Sequence, residues 1–343
     1  MRFSKFTLYF VRPITVFLSL LLIVLCIYNI SNQAEIILFE LLLLLIPYLV
    51  AFNFITGLYA SIIRSKLLIW PLVSLIIWIF VLGPFIVFSS TDEDKSINDI
   101  SVLSFNALNF VGNYRIKSSN IQSEILNFVT SEDPDILCFQ EFKSSRSTLK
   151  QLSNYPHYYI YPKSGTTDYA PLAIFSKVPI VAKGSLDFLD TPNNAIYVDL
   201  KVGIDTLRLY NIHLQSLRFR PSSIKRENPI RLIKRLGETV EKQKIQANQI
   251  IKHRKESSYP VVICGDFNNS QYSKVYSSLS KNMKDSFLEK GNGYGTTLSF
   301  KILPFRIDYI LLENNFEVIE HKNYDVVLSD HYPIKATFRF QNP

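Results

Sequence analysis

The sequence predicts an α/β protein preceded by an apolar helical segment, and three observations carry that prediction. The first quarter of the chain holds three long, nearly uncharged apolar runs. Beyond residue 100, short β-branched runs alternate with stretches of helical periodicity. Those strand-like runs end in Asn, Glu, His or Asp, where open α/β sheets usually place ligand chemistry. A chain of 343 residues has room for two or three domains. Its net charge of +8 is localised: residues 218–258 hold 12 Lys/Arg against 4 Asp/Glu, a surplus equal to that of the whole chain. The basic balance therefore reports one segment, which could face phosphate, an anionic membrane surface or solvent. Three cysteines, each inside an apolar run, read as buried thiols and not as a disulfide framework.

The apolar runs come first. Ile14–Ile30 follows Arg2, Lys5 and Arg12, and neither a small-x-small cleavage site nor a lipoprotein-type residue before Cys26 accompanies it. An uncleaved transmembrane helix is the expectation. Ile36–Thr56, with Glu40 near one end and Pro47 inside, is the second expected span. Leu67–Phe88, with Trp70 and Trp78 as interface anchors, is the third. Arg64 and Lys66 lie between the second and third runs, whereas Ser31–Glu35 has no Lys or Arg. The positive-inside rule then puts the N-terminus in the cytoplasm and everything after Phe88 outside the cytoplasmic membrane. Glu40, close to the predicted outer interface, reads as a carboxylate reaching water. Ser89–Asn98 is polar and acidic. The expected organisation is a three-helix anchor over 1–90, a tether over 91–99 and a further domain over 100–343.

Within that domain, Ile100–Phe105 reads as a strand delivering Asn106, and Ile121–Phe128 as a helix. Ile136–Phe139 ends in Gln140-Glu141, and Leu172–Phe175 leads into Ser176. Ala195–Val202 and Thr206–Ile212 form a hairpin pattern, the second run ending at His213. Arg231–Arg254 is amphipathic, with Leu232, Leu236, Val240, Ala247 and Ile250/Ile251 on one face. Val261–Cys264 is a buried-strand run broken by Gly265 and followed by Asp266, Phe267 and Asn268. By itself that stretch is as well explained by a turn, since Asp and Asn are common turn residues. Arg306–Leu312 is a strand carrying Asp308, Val326–Leu328 precedes Asp330-His331, and Ile334–Phe340 closes the pattern.

Collected, these ends supply a hydrolytic kit for phosphate esters. A carboxylate such as Glu141 suits Mg²⁺, which prefers a few protein oxygens and keeps waters for its substrate. The metal polarises the phosphoryl group, a second carboxylate activates water, and imidazole and amide groups stabilise developing charge. The ordered motifs SFNAL with Asn106, Gln140-Glu141, FSKVPI at 175–180, NIHL at 211–214, GDFN at 265–268, RIDYIL at 306–311 and SDHYPI at 329–334 resemble the endonuclease/exonuclease/phosphatase superfamily. That group includes DNase I-like nucleases, sphingomyelinases and inositol-phosphate phosphatases. The N-terminal helices resemble those of a membrane-attached bacterial branch.

The resemblance implies a four-layer α/β sandwich of DNase I-like type after the transmembrane bundle; the strand–helix alternation agrees with it. It implies a Mg²⁺ (or Mn²⁺) site at Glu141, with Asn106 near metal and phosphate and Asp330 as an acidic neighbour. It implies catalytic roles for His213 at the leaving group, Asp266 on the water, Asn268 on phosphate, and His331 supported by Asp308. Arg218 and Arg220, just after His213, are placed to meet a polyanionic substrate or anionic lipid headgroups. One departure stands in Asp168-Tyr169-Ala170-Pro171, where relatives often have Gly before the LAIFSK strand. The expected partners are a phosphate-ester substrate, either a lipid headgroup or a nucleic acid, and the lipid bilayer. A different class of reading is a non-catalytic subunit or scaffold of an envelope assembly. The completeness of the kit argues against it.

Overall fold

A computed structural model describes residues 5–31, 36–89, 96, 98–112, 120–162, 170–218, 227–300 and 303–341. The chain divides into two compact units. Met1–Phe85 with Asn228–Gly237 and Tyr272–Lys274 form the first, and the remainder forms the second.

The first unit contains helices α1 (Lys5–Ile30), α2 (Ile37–Leu43), α3 (Ile46–Ile62) and α4 (Ile69–Val81). Tyr9–Ile30 of α1 is long and apolar enough to cross a membrane, with a mean hydropathy of 2.5. The second expected span is broken. α2 and α3 meet at a 62° bend, just ahead of Pro47, whose missing N–H and fixed φ suit a helix start better than an interior. The third is cut short. α4 runs only 13 residues, about 20 Å at 1.5 Å each, and stops before Gly83, at φ 73°, and Pro84. Val87–Phe88, expected inside that span, is a strand. A bundle of three full-length spans is thus not what the helices show; α2 with α3 could form one further, bent crossing. Glu40 is also corrected: it is buried at 4 % exposure and accepts a hydrogen bond from the Tyr28 hydroxyl at 2.9 Å. Asn53 ties three helices, accepting from Ser19 at 2.6 Å and Ser74 at 3.1 Å while donating to the Leu49 carbonyl at 2.8 Å. Small polar groups satisfied in this way hold apolar helices in register.

In the second unit the elements run β1 (Val87–Phe88), β2 (Ile100–Asn106), α5 (Ile121–Ser131), β3 (Ile136–Gln140), α6 (Arg146–Gln151), β4 (His157–Tyr161), β5 (Leu172–Ser176), β6 (Ile180–Ser185), β7 (Asn194–Val202) and β8 (Asp205–His213). They continue with α7 (Pro229–Lys255, counted here from Glu238), β9 (Val261–Asp266), α8 (Lys274–Ser280, counted here from Val275), β10 (Met283–Asp285), α9 (Ser286–Lys290), β11 (Asn292–Gly293), β12 (Leu298–Phe300), β13 (Leu303–Phe305), β14 (Asp308–Glu313), β15 (Phe316–Asn323) and β16 (Ile334–Phe340). Two six-stranded sheets result, ordered β15-β16-β2-β3-β5-β4 and β10-β14-β9-β8-β7-β6. β2 runs parallel to β3, and β8 parallel to β9, while the other neighbours are antiparallel.

The sheets face one another across a shared core. Val102, Cys138 and Ile174 of the first meet Val198, Leu209, Cys264 and Ile310 of the second. The outer faces are covered too. Leu103, Phe105 and Phe139 pack on Ile121 and Ile125 of α5; Tyr210, Ile212 and Ile263 pack with Ala247 and Ile250 of α7 and Val275 of α8. Burial on both faces explains why these strands read as continuous apolar runs instead of alternating ones. Helix, sheet, sheet, helix is the expected four-layer sandwich. All three cysteines are free and buried, as expected.

Candidate active site

Period-two geometry decides where the polar groups point. Along β2 the inner face reads Val102, Ser104, Asn106; along β3 it reads Ile136, Cys138, Gln140; along β8, Leu209, Asn211, His213; along β9, Val262, Cys264, Asp266. Every one of these rows changes from apolar to polar towards the same rim of the sandwich. β14 runs antiparallel to β9, so its first residue, Asp308, arrives at that rim as well. Register then aligns the groups: His213 stands opposite Asp266, and Asp266 opposite Asp308. In the facing sheet Asn106 stands opposite Gln140.

Contacts across the cleft follow. The Asn106 amide donates to Asp266 Oδ2 at 3.1 Å. Asp266 Oδ1 accepts the Asn268 N–H at 2.7 Å. His331, from the loop between β15 and β16, donates Nδ1–H to Asp308 Oδ2 at 2.9 Å. The Nε2 atoms of His213 and His331 lie 3.6 and 3.7 Å from Asp266 Oδ2. Asn106, His213, Asp266, Asp308 and His331 are all buried to at least nine-tenths. Asn268, half-buried, donates through its side chain to the Leu214 carbonyl at 2.9 Å.

Burial pushes the Asp266 carboxyl up to about 6, the nearby Asp308 adding to the effect and His331 and His213 opposing it. Burial alone would lower His331, but the Asp308 and Asp266 carboxylates outweigh it and hold the imidazole well above its ordinary value. For His213 burial wins, and its affinity for a proton falls. The cleft thus presents one charged imidazole, one neutral imidazole and a carboxyl poised near neutrality.

Glu141 lies one residue beyond β3 at the same rim, with its backbone in the left-handed region at φ 51°. Asn109 grips it twice, donating its side-chain amide to Oε2 at 3.0 Å and its backbone N–H to the carbonyl at 2.8 Å. Asn268 is left-handed too, at φ 50°. Non-glycine residues held this way gather at functional sites. Asp330 is half-buried, accepts from Ser329 at 3.1 Å and adds its charge to the field around His331. Arg218 is exposed, and Arg220 lies outside the described residues, as do Asp168 and Tyr169.

Several supporting residues carry roles that the motifs did not assign. Gln140 and Asn211 join the sheets beneath the site, with a 2.7 Å bond between their side chains and Asn211 donating to the Phe139 and Ala173 carbonyls. Thr297 Oγ accepts the N–H groups of Ile307 and Asp308 at 2.9 and 3.0 Å. Arg306 is buried in an ion pair with Asp285 at 2.7 Å. The available signal was inner-face parity for Gln140 and Asn211; for Thr297 there was none.

The donor set fits a hard divalent cation. Glu141 and Asn106 bring side-chain oxygens that also accept from Asn109 at 3.0 Å and from the Leu108 N–H at 3.1 Å, and the buried Oδ1 of Asp308 has no hydrogen-bond partner among the described residues. Among those residues, Asp266, Asp308 and His331 bring three ligand atoms within 4.8 Å of one another. In that trio the Asp308–His331 hydrogen bond already occupies one atom of each partner, which is the geometry of a proton relay.

The two-sheet sandwich thus brings an Asp–His pair, a second carboxylate and flanking amides to one rim. The chain belongs to the Endonuclease/Exonuclease/phosphatase family, whose model matches residues 103–331. Among solved structures it is similar in fold to an endonuclease/exonuclease/phosphatase from Beutenbergia cavernae (18 % identity, TM-score 0.55, covering 71 % of this chain and 72 % of that one). It is likewise similar to a family protein from Bacteroides thetaiotaomicron (19 %, 0.53, 71 % and 98 %). D. rerio TDP2 complexed with single-strand DNA product is a third (15 %, 0.52, 70 % and 99 %). Among curated proteins none matches.

Proposed function

We propose that this chain is a membrane-anchored, divalent-metal-dependent phosphoesterase of phosphodiesterase or nuclease type. The observation that carries the proposal is the convergence of Asp266, His331, Asp308, His213 and Asn106 at one rim. A cation held by Glu141 and Asn106, with Asp330 nearby, would polarise the phosphoryl oxygens and offset their developing charge. Asp266, with proton affinity near the working pH, takes the proton of a water attacking phosphorus in line. Asn268 holds a phosphoryl oxygen. His331, charged and oriented by Asp308, stabilises the transition state and can protonate the departing oxygen, while neutral His213 flanks the leaving group.

The apolar Tyr9–Ile30 helix supports the anchor, and the basic residues around the first runs support a cytoplasmic N-terminus. The substrate is a phosphodiester. The TDP2 neighbour with its DNA product favours including nucleic acid beside lipid headgroups as candidates. The test is a screen of the purified full chain, with Mg²⁺ or Mn²⁺, against DNA, RNA, phospholipid vesicles and bis(p-nitrophenyl) phosphate. Hydrolysis abolished by EDTA and by Glu141→Gln is expected. Undiminished rates in EDTA would sink the metal assignment, and a folded but inert protein would favour the scaffold.

A further inference from the structure

We propose that Gln243, on α7, is a positioning residue that sets the phosphate-facing Asn268 by clamping the two loops leaving β8 and β9. This rests on the hydrolytic reading above. The side chain is fully buried. Its amide nitrogen donates to the Gln215 carbonyl at 2.7 Å and to the Asn268 carbonyl at 3.2 Å, and its oxygen accepts the Asn269 amide at 2.8 Å. One residue therefore grips the chain two positions after His213 and again two and three positions after Asp266.

The surrounding bonds show that the clamp serves the site. Gln246, one turn further on, accepts the Gln215 N–H at 2.9 Å, and Thr191 donates to the Gln215 side chain at 2.6 Å. Leu214 donates its N–H to the Asp266 carbonyl at 2.9 Å and accepts from Asn268 and Asn193 at 2.9 and 3.0 Å. Asn268 thus sits in a left-handed backbone, held at its N–H by Asp266, at its side chain by Leu214 and at its carbonyl by Gln243. Gln243 supplies the only one of those three restraints that comes from outside the two loops. Two glutamines on the apolar face of an amphipathic helix, between Val240 and Ile250, are otherwise costly to bury. Their hydrogen bonds to loop backbone offset that cost.

Gln243→Leu keeps the volume and removes all three bonds, while Gln243→Glu keeps the acceptor for Asn269 and loses both donors. With bis(p-nitrophenyl) phosphate as probe, Gln243→Leu should lower kcat about 10- to 100-fold with KM changed less than about threefold, because a displaced transition-state contact costs turnover. Gln243→Glu should fall between it and wild type. Combined with Asn268→Ala, Gln243→Leu should add little to the Asn268 single variant, since it acts through that residue. Ile250→Val, a core change on the same helix, should leave kcat unchanged. Hydrogen exchange gives a readout independent of turnover: segments 213–217 and 266–270 should exchange faster in Gln243→Leu while 207–211 and 261–264 stay protected. Unchanged exchange in those loops, or multiplicative loss of kcat with Asn268→Ala, would overturn the inference. A folded wild type inert towards every substrate of the screen would sink the hydrolytic reading, and the exchange result would still decide the clamp.

Discussion

Asp266 accepts from the Asn106 amide and the Asn268 N–H and faces two imidazoles, yet its burial, with Asp308 nearby, outweighs the imidazoles and the Asn268 N–H and raises its proton affinity. With the carboxyl pushed up to about 6 from 3.8, the folded chain keeps a proton that the unfolded chain has released across that interval. Folding stability from this group therefore falls as pH rises from about 4 to 6. The melting temperature of metal-free wild type, measured relative to Asp266→Asn, should drop across that window; a flat or rising difference would refute the assignment. In the proposed mechanism, ionised Asp266 is the active form. The rate should show an acidic limb at or below about pH 6, since a bound cation favours ionisation further. His331→Ala should slow the chemical step roughly 10²–10⁴-fold. Asp308→Asn should resemble a weaker version, and the double variant should be little worse than His331→Ala. Independent, multiplicative losses would break the Asp308–His331 pair as a functional unit.

At the scale of elements, the end of β9 depends on one glycine. Gly265 sits at φ 131°, and a Cβ there would lie 2.1 Å from the Ile212 carbonyl oxygen and 2.9 Å from its nitrogen. That is backbone against backbone, with no side chain able to yield, directly beside the register pair of His213 and Asp266. Gly265→Ala should pry β8 from β9 and cost about 3 kcal/mol or more in chemical denaturation. A variant of near-wild-type stability would show that the strands can part cheaply. Helix lengths in the first unit are governed by similar local facts. Pro47 and the Gly83-Pro84 pair set where α3 begins and α4 ends.

For the whole molecule, the prediction concerns topology. Arg2, Lys5 and Arg12, ahead of the apolar Ile14–Ile30 run, and Arg64 with Lys66 before α4 are the basis for proposing that both of those ends face the cytoplasm. If the chain crosses a third time around α4, alkaline phosphatase fused after Phe88 should be active and a cytoplasmic reporter there silent, whereas two crossings, by α1 and the bent α2–α3 pair, would leave that point inside. The reverse outcome would place the catalytic unit inside. Since the described helices include one long and apolar enough to cross a membrane and one bent pair that passes the same test together, fusions after Ile30 and after Ile62 should report how many times the chain crosses.

The sequence by itself determined the strands that carry the candidate site and the residue types they deliver to it. Ile100–Asn106, Ile136–Gln140 and Val261–Asp266 are apolar runs that break at polar residues, and burial on both faces makes such runs conspicuous. His213, Asp266, Asp308 and His331 were legible because each stands at or beside a strand end in a motif of its own. Only the tertiary structure decided which groups touch. The Asn106–Asp266 bond spans two sheets and 160 residues, and the Asp308–His331 bond joins a strand to a distant loop. Nor could composition decide the length of an apolar helix, because hydropathy sums over a window while a Pro or a left-handed Gly acts at one residue. The glutamines of α7 and Thr297 were illegible for a related reason. Their partners are mostly backbone groups of other elements, and a backbone group leaves no signature in sequence.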